Sequence, residues 1–265
     1  MSTVSHLNPV PTRRTNRLLA SLPAAEFSAL APEFREMTLE RGMILRESGD
    51  PIQHVYFPHS GLISILAVLS SGEAIETATV GFEGAVGVTA ALGSRLTFGR
   101  AMVQLPGTAS RISSGRFQAI AAESSALREL MLRYNEVMLA QTQQAAACNI
   151  LHDVEARLCR WLLHTHDRLD GDVVPLTQEF LAEMLGVRRT TVTIVARVLQ
   201  SAGMIRYRRG HIHILNRAAL EEGACECYGI VHQLMDDLLP NGPAGGGADS
   251  GAMTLRPFTR SRPAE

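Results

Sequence analysis

The sequence predicts an α+β protein in which a roll of short strands precedes a long helix and a small helical domain with a β-hairpin. Glycines recur between short apolar or alternating runs from Thr38 to Ile112, a pattern typical of an antiparallel barrel or jelly roll. After Ser113-Ser114 the apolar spacing becomes helical, and it stays helical to Leu151. From Leu176 to Ile214, two short helices around a glycine are followed by two short strands.

Length and composition are those of a two-domain globular protein. The chain has 265 residues, of which 46% are hydrophobic, and 25 basic residues nearly balance 26 acidic ones. No apolar run approaches the about 20 residues that cross a bilayer, and the N-terminus lacks the apolar segment of a signal peptide. We therefore expect a cytoplasmic protein that does not enter a membrane. Its four cysteines are too few and too irregularly spaced to predict a disulfide framework.

Patterning along the chain predicts the segment boundaries. Residues 1–15 mix Pro, Ser, Thr and Arg without periodicity, which predicts a flexible arm. Residues 240–265 are rich in Gly, Pro and Ala, which predicts a disordered tail. Between them we expect a strand-rich domain over 16–125, a long helix over 126–152, a second domain over 153–228 and a C-terminal helix over 229–239.

The long helix carries a heptad pattern. Gln141 within it is a polar position that would fix the register of two paired helices at some cost in stability. The alternative is a helix that packs on its own roll with this face. Residues that alternate four and three apart over three heptads predict a dimer seam made of Leu127, Met131, Tyr134, Met138, Gln141, Ala145 and Cys148.

The stretch from Leu176 to Gln200 has the pattern of two helices around a tight turn. Thr177 can cap the first helix, and Gly186 stands where a helix ends in a left-handed residue. The second helix is expected to begin near Arg189 and to bury an apolar stripe from Val192 to Leu199. This is the form of a helix-turn-helix reader of the DNA major groove. Its outer face and preceding turn would carry Arg188, Arg189, Thr190, Thr191, Thr193, Ile194 and Arg197.

A basic β-hairpin follows the two helices. Met204–Tyr207 and His211–Ile214 are predicted strands, and Arg208-Arg209-Gly210 forms the turn of a wing. The chain from Met184 to Arg217 contains seven arginines and no acidic residue, although the whole chain is near neutral. Local positive charge predicts phosphate contacts, here by Arg208 and Arg209 of the wing turn. The alternative, a hairpin whose outer face is merely solvated, would normally mix both signs of charge.

The helix-turn-helix, the wing and the order of the segments resemble the Crp/Fnr family of bacterial transcription regulators from about Asn16 to Tyr228. The resemblance implies an N-terminal double-stranded β-helix sensor domain, a long dimerisation helix and a C-terminal winged helix-turn-helix domain. It further implies a homodimer that binds a palindromic operator in double-stranded DNA and contacts RNA polymerase. In the family, the position of Arg189 contacts a guanine. Thr190 and Ile194 replace an acidic and a basic residue of the cyclic-AMP-responsive member.

The resemblance also implies an effector other than cyclic AMP. Members that bind cyclic nucleotides use a Gly-Glu pair and a later Arg-Ser/Thr-Ala run. Alignment of the glycines puts Ala85 at the Glu position, and alignment of Ala101 with the final Ala puts Gly99 at the Arg position. A one-residue slip would restore Arg100. The candidate effector residues are Glu83, Gly84, Ala85, Gly99, Arg100 and Ala101.

No metal ion or other cofactor is predicted. The first 147 residues contain no cysteine, which argues against an N-terminal iron–sulfur cluster. His54 or His59 could be a haem ligand, but nothing distinguishes either from a hydrogen-bonded structural histidine. Cys225-Glu226-Cys227 is a weak metal signal, and His211 and His213 share one strand face and could join it in a metal or thiol switch.

Two other functions compete with DNA binding. One is a ligand-sensing module that has lost its DNA contacts, and the acid-free basic segment argues against it. The other is an enzyme on a barrel of the cupin type, which needs histidines and carboxylates at metal-ligand spacing. His54 and His59 lack a third partner of that kind, so no catalytic residue is predicted.

Overall fold

The computed structural model of the protein describes residues 16–94 and 96–239. The predicted flexible arm and disordered tail lie outside these residues. The predicted fold class is confirmed: an antiparallel strand domain, a long helix and a helix-turn-helix domain follow one another along the chain. No helix within the described residues is long and apolar enough to cross a membrane.

The strand domain is a roll of two facing antiparallel sheets. One sheet has the order β1-β7-β3 and the other β2-β6-β4-β5, so only β4 and β5 are neighbours both in a sheet and in the sequence. Two short helices precede the roll, α1 (Arg17–Ala20) and α2 (Ala24–Leu30), and the side chain of Asn16 caps α1. The strands are β1 (Arg35–Leu39), β2 (Ile44–Arg46), β3 (His54–Pro58), β4 (Leu62–Val68), β5 (Ala74–Val80), β6 (Arg100–Leu105) and β7 (Gly107–Ser113).

Two helices connect the roll to the second domain. Helix α3 spans Ser114–Glu123, and α4 spans Ser125–Leu151 after a cap by the Ser124 side chain. Helix α4 lies directly on the roll. The hydroxyl oxygen of Tyr134 accepts a hydrogen bond of 3.0 Å from the Ala85 backbone N–H, and Gln141 Oε1 accepts one of 2.8 Å from the Thr79 N–H.

These contacts correct the predicted dimer seam. The face of α4 that carries it packs within the chain, as in the alternative that the sequence left open. Gln141 therefore completes the hydrogen bonding of β5 and does not set a register between two chains. Met138 is half-buried, and the other six predicted seam residues are buried: Leu127, Met131, Tyr134, Gln141, Ala145 and Cys148.

The second domain follows the end of α4 at His152. It contains a three-stranded sheet of order β8-β10-β9, and its C-terminal helix turns back and packs against α4 and the core of the first domain. The Asp153 side chain caps its first helix by accepting from the Ala156 N–H. Its elements are α5 (Val154–His166), β8 (Val173–Val174), α6 (Gln178–Leu185), α7 (Arg189–Ser201), β9 (Ile205–Arg208), β10 (His211–Ile214), α8 (Arg217–Gly223) and α9 (Cys227–Leu238).

Candidate nucleic-acid interface and effector cavity

The helix-turn-helix forms where the sequence predicts it. The Thr177 hydroxyl accepts a hydrogen bond from the Phe180 N–H at 3.3 Å and begins α6. Gly186 ends α6 in the left-handed conformation, with φ of 62°, and α7 begins at Arg189. The predicted core side of α7 is buried at Val192, Ala196 and Leu199 and half-buried at Val195, so its opposite face is fixed toward solvent.

The outer face of α7 is basic and largely free of contacts with the core. Arg188, Arg189, Thr190 and Arg197 are exposed, and Ile194 is 61% exposed although it is apolar. An exposed Ile on an otherwise polar face is suited to contact with a thymine methyl group. Arg189 pairs with Glu179 at 2.8 Å, but both side chains are exposed, and such a pair is worth only about 0–1 kcal/mol.

Two threonines of the predicted DNA interface are less exposed to solvent than the arginines beside them. Thr193 is half-buried, and its hydroxyl lies 2.8 Å from Gln178 Oε1 and 3.1 Å from the Arg189 carbonyl, so it joins the two helices of the motif. Thr191 is half-buried and lines a groove between the motif and the turn that joins β4 to β5. The exposed arginines are therefore the main candidates for DNA contact.

The wing is a tight hairpin of β9 and β10. Arg208 pairs with His211, and the two residues between them, Arg209 and Gly210, have positive φ of 50° and 75°. Two positive φ angles are the signature of a two-residue turn that matches the twist of the strands. The turn is therefore one residue shorter than predicted, and it holds Arg208 and Arg209 exposed at the tip.

Arg217 does not belong to this basic surface. Its guanidinium pairs with Asp167 and Glu221, both at 2.8 Å, and donates to the Tyr228 hydroxyl at 2.7 Å. It therefore ties α8 to the end of α5. The remaining six arginines of the acid-free segment are exposed: Arg188, Arg189, Arg197, Arg206, Arg208 and Arg209.

A buried ion pair joins the roll to the DNA-binding domain and corrects the prediction for Glu83. Glu83 Oε1 accepts from Arg168 Nη2 at 2.8 Å and Nε at 3.0 Å, and it also accepts from the Gly81 N–H. Burial of Glu83 opposes ionisation, but the Arg168 guanidinium and the backbone N–H groups of Gly81 and Glu83 together lower the pKa of this carboxyl. Glu83 therefore links the two domains, and it does not line the cavity between the roll and α4. Sequence patterning gave no sign of this pair, because its members lie 85 residues apart.

A second carboxyl also lies between the domains. Glu76 on β5 accepts from the Ser64 hydroxyl at 2.6 Å and from the indole N–H of Trp161 on α5 at 3.0 Å. Burial raises the pKa of Glu76 to about 7, although these hydrogen bonds and the nearby Arg160 favour its charged form. The contact between the domains therefore contains a group that titrates near neutral pH.

An open cavity of about 490 Å³ lies between the roll and α4. Ala85 and Gly99, two of the candidate effector residues, line it together with Thr77, Thr97 and Asn135. Arg46 is the one charged residue among the described residues of the lining, and its Nε has no hydrogen-bond partner. Burial lowers the pKa of this guanidinium, which indicates that its charge is poorly compensated.

The other candidate effector residues lie elsewhere. Arg100 pairs with Glu47 at 2.9 Å and does not line the cavity, and Ala101 is fully buried in the roll. A Cβ at Gly84 would lie 2.3 Å from the Tyr134 hydroxyl, so this glycine allows α4 to approach the roll. The sequence missed Arg46, because its position on the cavity wall depends on the pairing of β2 with β6.

The histidines and cysteines also assemble differently from the prediction. His59 Nε2 lies 2.8 Å from the Ser110 hydroxyl in the roll, as a structural histidine does. His211 and His213 remain on β10 in the wing. Cys225 and Cys227 instead meet side chains at the end of α4, where Cys148 Sγ and Cys225 Sγ are 3.5 Å apart and Cys227 Sγ is 3.5 Å from His152 Nδ1.

Comparison with known proteins agrees with this architecture. Residues 156–222 match the model of the Crp-like helix-turn-helix domain. The global nitrogen regulator of Synechococcus elongatus is 25% identical over 193 residues, which cover 69% of this chain and 86% of that protein. FixK2 from Bradyrhizobium japonicum has the same fold with a TM-score of 0.63 at 15% identity, over 72% of this chain and 98% of that one.

A transcriptional regulator of the CRP/FNR family from Thermus thermophilus also shares the fold. Its TM-score is 0.59 at 22% identity, over 72% of this chain and 98% of that chain. Residues 156–222 therefore match a Crp-like helix-turn-helix domain, and the chain shares the fold of these solved structures.

Proposed function

We propose that the protein acts in the cytoplasm as a homodimer that binds a palindromic operator, contacts RNA polymerase and responds to a small molecule other than cyclic AMP. The observation that supports DNA binding is that six arginines at α7 and on the wing are exposed to solvent. Guanidinium groups can contact guanine through two hydrogen bonds and also pair with phosphates. The groove-facing helix and the flanking wing have the arrangement of known DNA readers.

Selection of binding sites from random duplex DNA tests this proposal. The wild-type protein should enrich a two-fold symmetric sequence whose half-sites are centred about 10 base pairs, or a multiple of that spacing, apart. Enrichment of no sequence, with equal binding to all duplexes, would contradict sequence-specific regulation. It would favour the alternative of a sensing module without specific DNA contacts.

The exposed face of α4 supports the proposed dimer, in place of the face predicted from the sequence. Leu132 and Leu139 are seven residues apart and remain 51% and 56% exposed. With Asn135, Thr142 and Ala146 they form a second heptad seam, which we call the outer seam. Burial of such a seam against a second copy would remove exposed leucines from water. Asn135, Leu139 and Thr142 also line the cavity, so that second copy would help to close it.

Charge reversal of the two faces distinguishes them. Leu139→Glu should give a folded monomer, because it places two like charges across the outer seam. Met131→Glu should lower the thermal stability instead, because Met131 is buried in the core of the chain. Leu69→Glu is the matched control, since Leu69 is an exposed leucine outside α4. Sedimentation of the three variants is the measurement, and a dimeric Leu139→Glu protein would place the interface elsewhere.

The cavity lining supports an effector with an apolar body and one anionic group. Ala85 and Gly99 supply no polar side chain at the positions that bind ribose and phosphate in cyclic-nucleotide-binding members. Arg46 on β2 supplies a guanidinium whose Nε has no hydrogen-bond partner. Cyclic AMP and cyclic GMP at millimolar concentration should leave the melting temperature unchanged. A ligand at 100 times its dissociation constant would stabilise the fold by about 2.7 kcal/mol, so binding would be visible.

A panel of aromatic and aliphatic carboxylates provides the positive test of this cavity. At least one member should raise the melting temperature of the wild type, and Arg46→Gln should abolish that rise. Arg100→Gln is the control and should retain it, because Arg100 is engaged by Glu47 outside the cavity. A clear stabilisation by cyclic nucleotide would contradict the proposed effector class.

A further inference from the structure

Four side chains with metal-ligand chemistry meet between the end of α4 and the start of α9. Their ligand atoms all lie within 4.8 Å of one another, and we call these residues the thiol cluster: Cys148, His152, Cys225 and Cys227. The three cysteines are buried and His152 is half-buried. Two ligands come from α4 and its cap, and two come from the segment that begins α9, more than 70 residues later.

The distances within the thiol cluster fit a tetrahedral ion. Sulfur ligands at about 2.3 Å from a tetrahedral zinc ion lie about 3.8 Å apart, and a disulfide needs about 2.05 Å. The Cys148 and Cys225 sulfurs are 3.5 Å apart, and Cys227 Sγ is 3.5 Å from His152 Nδ1. Both separations are close to the edges of a tetrahedron around zinc. Three thiolates and one imidazole are an established ligand set for structural zinc.

The surroundings of the thiol cluster are also those of a metal site. His152 presents Nδ1 to the cluster, while its Nε2 lies 3.3 Å from Glu226 Oε2. A carboxylate behind the second ring nitrogen fixes the orientation of a ligating histidine. The Gln144 side chain donates to Cys227 Sγ at 3.0 Å. Arg157 and Arg160 interact electrostatically with Cys148 and offset the negative charge that three thiolates bring.

The other candidate cluster in the described chain is a weaker metal site. His164, Asp167 and His232 also lie close together. However, the Asp167 carboxylate already accepts from Arg217 at 2.8 Å and from the Tyr228 hydroxyl at 3.1 Å. His232 Nε2 lies 2.8 Å from the same carboxylate. These groups satisfy one another, and a metal ion would have to displace an arginine.

We propose that the thiol cluster binds one zinc ion, which fastens α9 to the end of α4. The ion would take the thiolates of Cys148, Cys225 and Cys227 and the neutral Nδ1 of His152, and the protons of the three thiols would pass to solvent on binding. Cys225 and Cys227 lie beyond the Crp-like domain of residues 156–222. The site therefore connects the start of α9, beyond the matched domain, to the end of α4.

The metal content of the full-length protein tests this inference. Protein purified with reductant from zinc-supplemented medium should hold about one zinc per chain by elemental mass spectrometry. Replacement by cobalt(II) should give the absorption of a tetrahedral thiolate complex. Cys225→Ala and Cys227→Ala should each reduce the zinc content at least tenfold. Cys159→Ala is the matched control, because Cys159 is a buried free cysteine on α5 outside the cluster, and it should keep the full content.

A second measurement uses only the wild-type protein, so a variant that fails to fold does not affect it. Removal of zinc from the wild type by a chelator should lower the melting temperature, and added zinc should restore it. Zinc-free wild type that stays zinc-free after incubation with zinc and reductant would overturn the proposal. So would a disulfide between Cys148 and Cys225 in protein kept reduced, or an equal loss of zinc in the Cys159→Ala control. None of these readouts depends on DNA binding, so the inference and the proposed function fail separately.

Discussion

Arginines in two regions of this molecule have opposite environments. On α7 and the wing, Arg188, Arg197 and Arg208 are exposed and present their guanidinium groups to solvent. Near the two ends of α5, Arg157 and Arg168 are buried. The chain contains no lysine, so all 25 of its Lys and Arg residues are of one type. Residue type and charge therefore cannot separate the two sets, and only burial and partners do.

The partners of the buried arginines are fixed by the fold. Arg168 holds Glu83 with two nitrogens and donates to the His164 carbonyl at 2.6 Å. Arg157 donates to Asn149 Oδ1 at 2.9 Å and to the Leu185 carbonyl, so it joins α4, α5 and α6. A buried guanidinium is costly unless it is paired or hydrogen-bonded in this way. Exposed guanidinium groups remain available for a ligand, so the buried arginines stabilise the fold and the exposed ones are the candidates for DNA contact.

Arg168→Ala is expected to have the largest effect. It leaves the Glu83 carboxylate buried without its counter-charge, and such a change costs about 3–5 kcal/mol. Urea unfolding should show this loss. Arg133→Ala is the control and should change stability by less than about 1 kcal/mol, because Arg133 forms an exposed pair with Glu129. A loss below about 1 kcal/mol for Arg168→Ala would show that the ion pair with Glu83 does not hold the domains together.

Glu76→Gln should give the next largest effect, and it should depend on pH. The pKa of Glu76 is about 7 in the folded chain, against an ordinary value of 4.5. Between pH 4.5 and pH 7, the carboxyl therefore takes up a proton when the chain folds. The wild type therefore loses stability as pH rises through this window, by up to about 3 kcal/mol above pH 7. The Gln variant should be more stable than the wild type at pH 8 and similar to it at pH 4.5. Glu73→Gln, an exposed change on the same hairpin, should keep the wild-type profile.

The DNA-binding domain could be predicted from the sequence because its signals are local. Thr177, Gly186 and the apolar spacing of α7 each act within a few residues, and each is confirmed. The faces of α4 could not be assigned in this way. Heptad spacing is present both at Met131 and Met138 and at Leu132 and Leu139, and only the position of the roll decides which pair is buried.

The same reason explains why the contacts between distant residues were missed. Glu83 lies in a stretch that resembles a nucleotide site, but its partner is 85 residues away in the other domain. The thiol cluster joins Cys148 to Cys225 over 77 residues, whereas local spacing favoured the histidines of the wing. Tertiary packing brings the residues of both sites together, and no periodic pattern in the sequence predicts that packing.

Arg189→Ala tests the exposed set where it is expected to read bases. Loss of a bidentate contact to guanine reduces the discrimination against other bases by about 1–3 kcal/mol at one position of each half-site. Titration against the selected operator and its single-base variants should show a weaker preference for guanine at that position. Glu179→Ala removes the partner of Arg189 without removing the reader and should keep the preference. A uniform loss of affinity with unchanged base preference would contradict the placement of α7 in the major groove.

Arg208→Ala is expected to have the smallest effect and to change the salt dependence of binding without changing base preference. Arg208 ends β9 at the exposed tip of the wing, where the DNA backbone is the natural partner, and phosphate contacts position a protein without reading sequence. The slope of log affinity against log salt should fall by about 0.9 for each phosphate that the variant no longer neutralises. Arg116→Ala, an exposed arginine paired with Glu33 in the first domain, should keep the wild-type slope. Titrations at several salt concentrations measure both variants. A changed preference at one base pair with an unchanged slope would mean that the wing reads bases, and the distinction between Arg189 and Arg208 would then fail.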